Sequence, residues 1–135
     1  MGVRMTKSAV KFSIGQIQAL KRIAQEKKLK GADVLNEYTD EQIAESFNGA
    51  GSSAAPEWQR WVLTKILQKK LPAVMIHDMT FRKGGTDADF RKANEDLRDN
   101  IRSSDGDEKS IWWNFVADKA KEYSDRNGRP GWGTV

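Results

Sequence analysis

The 135-residue chain contains no cysteine, only three prolines and a single histidine. Without cysteine, neither disulfide bonds nor thiolate metal sites can form, so packing alone has to hold the fold. No apolar run approaches the roughly 18 residues that a membrane-spanning helix needs, and no secretory leader is recognisable. Lysine and arginine number 23 against 19 acidic residues, and the net charge of +4 permits an anionic partner without requiring one. We therefore expect a single domain, 1–135, that is made in a cytoplasm.

Helical periodicity runs through most of the chain. After a basic lead-in at 1–12, Ser13 and Thr39 are suited to cap two helices in the segment 13–42, the first of which ends near Gly31. "NGAGSSAAP" is a loop, and Pro56 begins the next helix. Further helices are predicted at 72–82, from 87 to about 103 and from about 109 to 123. Thr86 and Asp89 should form a capping box at the start of the second of these, and the third lies in a Trp-rich C-terminal segment at 105–124. The tail at 125–135 reads as extended and loosely attached. The pattern predicts an all-α fold.

The single histidine falls on the apolar face of a helix, in "AVMIHDMTF" (residues 73–81). Asn94 lies in the apolar stripe of the following helix, and the "GGT" turn between the two helices predicts an antiparallel hairpin. With Gly85 as the pivot, His77 lies eight residues before the turn and Asn94 nine residues after it. At about 1.5 Å of rise per residue, the two side chains should meet at the same height. A core histidine satisfied by local contacts is the alternative interpretation.

Asp78 lies one step around the helix from His77, at the edge of this helix pair. It is either a solvated surface carboxylate or a ligand for a hard cation, which would need further oxygens from a nearby loop. The turn "FNGAGS" (residues 47–52) is the glycine-rich segment upstream that could supply backbone carbonyls.

Together these residues resemble the phospholipase A2 superfamily, in particular its disulfide-free members in bacteria, phages and parvovirus capsids. The resemblance rests on "FNGAG", "AVMIHDMTF", the "GG" turn and "DADFRKANEDLRDNI", and it covers roughly residues 43–104. It implies a small helical domain with a central antiparallel helix pair. It also adds release from the cell, or association with a virion, to the expected locations.

The resemblance implies calcium-dependent hydrolysis of the sn-2 ester of phospholipids. His77 would be the general base, and Asp78 would bind Ca²⁺ together with the backbone carbonyls of Phe47, Gly49 and Gly51. The calcium ion would act as a Lewis acid on the ester carbonyl, and the Gly49 amide could donate to the oxyanion.

Two positions depart from the family pattern. Phe81 stands where the family has a tyrosine whose hydroxyl braces the partner of the histidine, and Asn94 stands where it has an aspartate. In serine proteases the corresponding aspartate-to-asparagine change reduces the rate by about 10⁴. The interval from the glycine loop to the histidine is also longer than in secreted relatives. A register shifted by one turn would bring Asp96 or Asp89 towards the histidine instead.

Basic residues accompanied by tryptophan suggest a phospholipid membrane surface as partner, with Lys69, Lys70, Trp112 and Trp113 as candidate interface residues. Since Trp112 and Trp113 are adjacent on a helix, they cannot both face the core, and Trp132 in the tail is a further interface candidate. Two alternatives to an active lipase remain. One is a catalytically degenerate scaffold serving as a prophage or bacterial interaction module. The other is a basic helical nucleic-acid binder, although the sequence contains no helix-turn-helix, zinc or single-strand-binding motif that would support it. The oligomeric state stays open.

Overall fold

A computed structural model describes residues 12–47, 70–103, 109–127 and 132–133. Within these ranges the chain forms helices and no strand, which confirms the all-α prediction. The helices are α1 (Ile14–Glu26), a 3-10 helix (Ala32–Glu37), α2 (Asp40–Ser46), α3 (Leu71–Lys83), α4 (Asp87–Ser103) and α5 (Ile111–Asn127). The predicted loop at 48–56 and the helix predicted to begin at Pro56 lie outside the described residues.

Capping boxes start the first two α-helices at the residues predicted to cap them. The Ser13 hydroxyl accepts a hydrogen bond from the Gln16 amide (3.2 Å), and the Gln16 side chain accepts one from the Ser13 amide (2.8 Å). Thr39 and Gln42 form the same reciprocal pair at the start of α2. Each box satisfies two backbone N–H groups that a helix start would otherwise leave unpaired.

The first helix ends earlier than the sequence suggested. It stops at Glu26, and Lys28 adopts a left-handed conformation with φ of 53°. Gly31, predicted to terminate α1, instead leads into the 3-10 helix with φ of 80°. A Cβ at Gly31 would lie 3.3 Å from Cγ2 of Ile76, so this glycine also permits a close approach to α3.

The pair α3 and α4 forms the predicted hairpin. Pro72 lies in the first turn of α3, where its missing N–H costs no hydrogen bond. The turn uses Gly84 at φ of 75° and Gly85 at φ of 143°. Thr86 and Asp89 then form the predicted capping box of α4, with bonds of 3.0 and 3.1 Å. Asp89 is therefore committed to the helix start and does not approach His77.

Side chains from the hairpin hold the N-terminal helices in place. The buried Asn100 of α4 accepts a hydrogen bond from the Lys30 amide (2.8 Å) and donates one to the Lys30 carbonyl (2.9 Å). Arg82 of α3 donates to the Ser46 hydroxyl (2.6 Å) and to the Gln42 carbonyl (3.2 Å) at the end of α2. These contacts connect segments far apart in sequence and fix the end of α2 against α3.

One apolar cluster joins the helices of the described ranges. Its members include residues of the N-terminal helices, of the hairpin and of α5: Ile17, Ala24, Leu35, Ile43, Phe47, Ala73, Met75, Met79, Leu97, Ile101, Val116, Ala117 and Ala120. The predicted boundary between segments 13–42 and 43–104 falls inside α2, so the region of resemblance is not separate from the segment before it.

The C-terminal part differs from the prediction. Helix α5 continues to Asn127, past the predicted end at 123. The described part of the tail is attached, because the Trp132 ring packs against Phe81 (centroids 5.0 Å apart) and Phe90 (5.4 Å). The Gly133 amide donates to the Phe81 carbonyl (2.7 Å), and the Trp132 indole N–H donates to the Gly85 carbonyl (3.2 Å). Trp132 thus covers the hairpin turn. Its partners Phe81 and Phe90 are on α3 and α4, and no pattern within the tail itself indicates these contacts.

Candidate functional site

His77 and Asn94 meet inside the hairpin, as the sequence predicted. The imidazole Nε2 of His77 lies 2.9 Å from the amide Oδ1 of Asn94. Asn94 is fully buried, and His77 is partly buried between α3 and α4. Because the two residues are nearly the same number of residues from the glycine turn, their side chains lie at the same height and make contact. Asp96, the alternative partner, is instead paired with Lys92 at 2.7 Å.

Two residues of α5 complete this cluster, and the sequence reasoning did not identify either. The Ser124 hydroxyl donates to Asn94 Oδ1 (2.7 Å) and lies 3.1 Å from His77 Nε2. The Asn94 amide nitrogen donates to Asp125 Oδ1 (2.7 Å). Because α5 lies outside the region of resemblance, these residues carried no motif signal. The available signal was "SD" near the end of an amphipathic helix, which many surface helices share.

The hydrogen bonds indicate where the imidazole carries its proton. An amide oxygen can only accept, so the contact with Asn94 Oδ1 requires a hydrogen on Nε2 of His77. The neutral ring then has its lone pair on Nδ1. No hydrogen bond joins Nδ1 to any residue in the described part of the chain. As far as the described residues are concerned, the ring thus presents an unbonded proton acceptor on the side away from Asn94.

Burial dominates the acidity of His77. It lowers the pKa of the imidazole from 6.5 to about 4, although the hydrogen bond to Asn94 and the negative charge of Asp125 both act in the opposite direction. The Phe81 ring contributes to this apolar environment, with its centroid 4.3 Å from that of the imidazole. Phe81 therefore contacts the histidine itself, and it offers no hydroxyl to brace Asn94.

Asp78 is a partly buried carboxylate on α3. No hydrogen bond or ion pair joins it to a described residue, and burial raises the pKa of its carboxyl well above the usual value. A desolvated carboxylate without a partner is unfavourable unless a proton or a cation compensates it. Asp78 is therefore not the fully solvated surface carboxylate that the sequence also allowed.

Asp78 lies on the side of α3 where α2 ends. Arg82 follows Asp78 by four residues, so both side chains lie on the same side of α3. Since Arg82 bonds Ser46 at 2.6 Å, α2 ends on that side, and Phe47 is the next residue. Phe47 is buried, and its ring stacks on Phe12 (centroids 4.7 Å apart). The other two proposed carbonyl donors, Gly49 and Gly51, lie outside the described residues.

Clusters of metal-ligating side chains are absent from the described ranges. Within 12–47, 70–103, 109–127 and 132–133, no group of three or more His, Asp or Glu side chains could hold a metal ion. A cation at Asp78 would therefore not be held by a cluster of such side chains within these ranges, and the family resemblance implies backbone carbonyls instead.

The candidate membrane-interface residues divide into exposed and buried ones. Trp112 is 54% exposed, whereas Trp113 packs against the core, so only one of the adjacent tryptophans faces outward, as predicted. Lys70 is fully buried with its ammonium 4.6 Å from the centre of the Trp113 ring. The prediction that Lys70 belongs to a lipid-facing surface is therefore wrong, because its position at the start of α3 places it under that ring. Lys69 lies outside the described residues.

None of the described helices combines the length and apolar character needed to cross a bilayer. Comparisons of the chain with known protein families, curated proteins and solved structures find no match.

Proposed function

We propose that this protein hydrolyses phospholipid esters in a calcium-dependent reaction of the phospholipase A2 type, with His77 as general base and Asp78 as calcium ligand. The observation that carries the proposal is the adjacency in sequence of two groups that have no partner at the relevant atoms among the described residues: Nδ1 of a neutral imidazole and a partly buried carboxylate. A proton acceptor beside a cation ligand is the arrangement needed to activate water at an ester carbonyl.

Each side chain of the site has a defined part in this proposal. Nδ1 of His77 accepts a proton from the attacking water, and Nε2–H continues to donate to Asn94. Phe81 covers one side of the imidazole. Asp78, with the carbonyl of Phe47 and those of Gly49 and Gly51, would hold the cation. When bound, calcium supplies Lewis-acid polarisation of the ester carbonyl.

The low pKa of His77 sets an expectation for the rate. An imidazole with a pKa of about 4 is almost entirely unprotonated at neutral pH, so it is ready to accept a proton. It is also a weaker base than an ordinary imidazole, and general-base catalysis is most efficient when the pKa lies near the working pH. We therefore expect slow hydrolysis.

An exposed apolar group on α5 supports a lipid surface as the partner. Ile111 is 88% exposed, and Trp112 and Phe115 are each 54% exposed, with their rings stacked at 6.3 Å. The Lys119 ammonium lies 5.6 Å from the centre of the Phe115 ring. Aromatic side chains combined with a cation suit the interface of an anionic bilayer.

The test is fatty-acid release from mixed zwitterionic and anionic vesicles, with millimolar Ca²⁺ or with chelator. His77→Gln removes the base, and Asp118→Asn, on the exposed side of α5, serves as the matched control. We expect calcium-dependent release by the wild type and by Asp118→Asn, and none by His77→Gln. Release that persists in His77→Gln, or that ignores chelation, would refute the proposal.

A catalytically degenerate scaffold is the second candidate. It is favoured by the amide at position 94 and by the absence of a hydroxyl at position 81, since both departures remove groups that the resemblance makes part of the chemistry. Absence of release by the folded wild type under all these conditions would support this candidate.

A further inference from the structure

The two chemical groups missing from the hairpin are present on α5. The position that directly contacts His77 has an amide instead of a carboxylate, yet the Asp125 carboxylate accepts a hydrogen bond from that amide at 2.7 Å. Phe81 lacks a hydroxyl, yet the Ser124 hydroxyl donates to Asn94 Oδ1 at 2.7 Å. Consecutive residues of one helix thus contact both ends of the amide that partners the histidine.

Asp125 determines which end of the Asn94 amide faces His77. A carboxylate can only accept hydrogen bonds, so it selects the NH₂ end and leaves Oδ1 directed at the imidazole. Rotating the amide by 180° would place its oxygen against the carboxylate and its NH₂ against Nε2. The imidazole would then carry its proton on Nδ1, where it could not act as a base towards water on that side.

The charge of Asp125 makes this selection stronger than a neutral acceptor would. Hydrogen bonds to an ionised acceptor are shorter and stronger than neutral ones. The second oxygen, Oδ2, pairs with the Lys121 ammonium at 2.7 Å and the side chain is about one third exposed. Asp125 therefore keeps a solvated, paired oxygen outside while its other oxygen reaches inward to the buried amide.

We propose that Asp125 is the positioning carboxylate of the candidate site: through the Asn94 amide, and with Ser124 bracing the amide oxygen, it holds His77 in the Nε2–H tautomer and leaves Nδ1 free. The tautomer follows from the hydrogen bonds alone. Its value for hydrolysis rests on the proposed function, in which Nδ1 accepts the proton of water.

Because the chain has a single histidine, its ring nitrogens can be observed without ambiguity. Long-range ¹H–¹⁵N correlation spectra of protein labelled with ¹⁵N-histidine, recorded at neutral pH, distinguish a pyridine-type from a pyrrole-type nitrogen. We expect a pyridine-type Nδ1 and a pyrrole-type Nε2 in the wild type. Asp125→Asn should reduce the ratio of the Nε2–H to the Nδ1–H tautomer by about tenfold, since an amide at 125 can pair with either end of Asn94.

Matched variants separate positioning from general effects of charge or folding. Asp118→Asn removes the same charge from an exposed position of α5 and should leave the tautomer ratio unchanged. Asp125→Glu, which retains a carboxylate, should restore the wild-type ratio in large part. Asp125→Ser carries the same prediction as Asp125→Asn if the latter does not give a folded protein by circular dichroism.

Two results would overturn the proposal: a wild-type spectrum with the proton on Nδ1, or a tautomer ratio in folded Asp125→Asn equal to that in Asp118→Asn. In vesicle hydrolysis, Asp125→Asn should lower kcat by about tenfold with little change in KM, because the histidine is misoriented while lipid contacts are kept. A wild type without hydrolysis would end the proposed function, whereas the spectra would still decide the role of Asp125.

Discussion

An aspartate at position 94 would give His77 the carboxylate partner that the proposed function favours, but the structure predicts that Asn94→Asp alone is unfavourable. The Asn94 amide nitrogen lies 2.7 Å from Asp125 Oδ1, so the substitution would place two carboxylates in direct contact. Two like charges about 4 Å apart repel by roughly 1 kcal/mol in water and roughly 4 kcal/mol at an effective dielectric constant of 20. Since Asp125 is partly exposed, we expect a repulsion of about 2 kcal/mol.

The exchange Asn94→Asp with Asp125→Asn should remove this repulsion. It keeps one carboxylate and one amide in the pair, with the carboxylate now against His77. An aspartate at 94 would also favour a charged imidazole, which changes the stability of both variants that contain it. A double-mutant cycle cancels this contribution and isolates the coupling between positions 94 and 125.

The assay is urea unfolding followed by the fluorescence of the five tryptophans. At pH 8 we expect a coupling free energy of about 2 kcal/mol between the two substitutions, decreasing at pH 5 as the raised pKa of the carboxylate pair allows one of them to take up a proton. The exchange variant should also hydrolyse vesicles faster than the wild type. A coupling below about 0.5 kcal/mol at pH 8 would show that the two side chains do not interact as described.

Three further predictions concern single residues. Asp78→Asn should raise the free energy of unfolding in chelator by about 1–2 kcal/mol, because it replaces a partly buried carboxyl group that has no partner among the described residues. It should also abolish the calcium-induced rise in Tm that we expect of the wild type, worth about 2.7 kcal/mol at a concentration 100 times Kd; a calcium response that survives the substitution would exclude Asp78 as ligand. For His77, the pKa lowered from 6.5 to about 4 means that the unfolded state binds more protons. The neutral His77 therefore contributes about 3 kcal/mol to the free energy of unfolding. This contribution is fully present above pH 6.5 and is lost as the pH falls through 4. We would measure this loss by urea unfolding in the Asp78→Asn background, where the opposite titration of Asp78 is absent, and a loss equally large after His77→Gln would contradict the assignment. Asn100→Ala should lower the free energy of unfolding in urea by about 2–3 kcal/mol, because it removes two hydrogen bonds to Lys30. Asn36→Ala, at an exposed site, should change it by less than about 0.5 kcal/mol. Equal effects of the two substitutions would show that the Asn100–Lys30 hydrogen bonds do not stabilise the fold.

Local signals in the sequence were sufficient for much of the helix arrangement. The capping residues Ser13, Thr39 and Thr86 all start helices where predicted, because a side chain that bonds the first free N–H groups acts within one turn of chain. The contact between His77 and Asn94 could be predicted for a related reason. A short glycine turn fixes both the direction and the register of the following helix, so counting residues from the turn gives the height of each side chain.

Features that depend on distant segments could not be predicted in this way. Trp132 closes over Phe81 although nothing in the tail indicates that partner. The sequence predicts Lys70 at a surface because lysines usually lie there, but tertiary packing buries it beneath Trp113. Nothing in the sequence around Asp125 indicates that it contacts Asn94, because the two residues lie on different helices. In each case the deciding contact comes from another helix, whose position no local pattern specifies.

The contact between Asn94 and α5 also bears on whether this cluster serves packing alone. A buried amide needs hydrogen-bond partners in any fold, and Ser124 together with neutral donors or acceptors would satisfy that need without desolvating a charge. A carboxylate is a costlier choice beside a buried group, because part of its hydration is lost. Asp125 reduces that loss by pairing its outer oxygen with Lys121, while its inner oxygen is bound to the amide that contacts the histidine. Packing alone gives no reason for a negative charge at this point. A negative charge is explained by its effect on the orientation of the amide, and in the proposed reaction also by stabilisation of the positive charge that forms on His77.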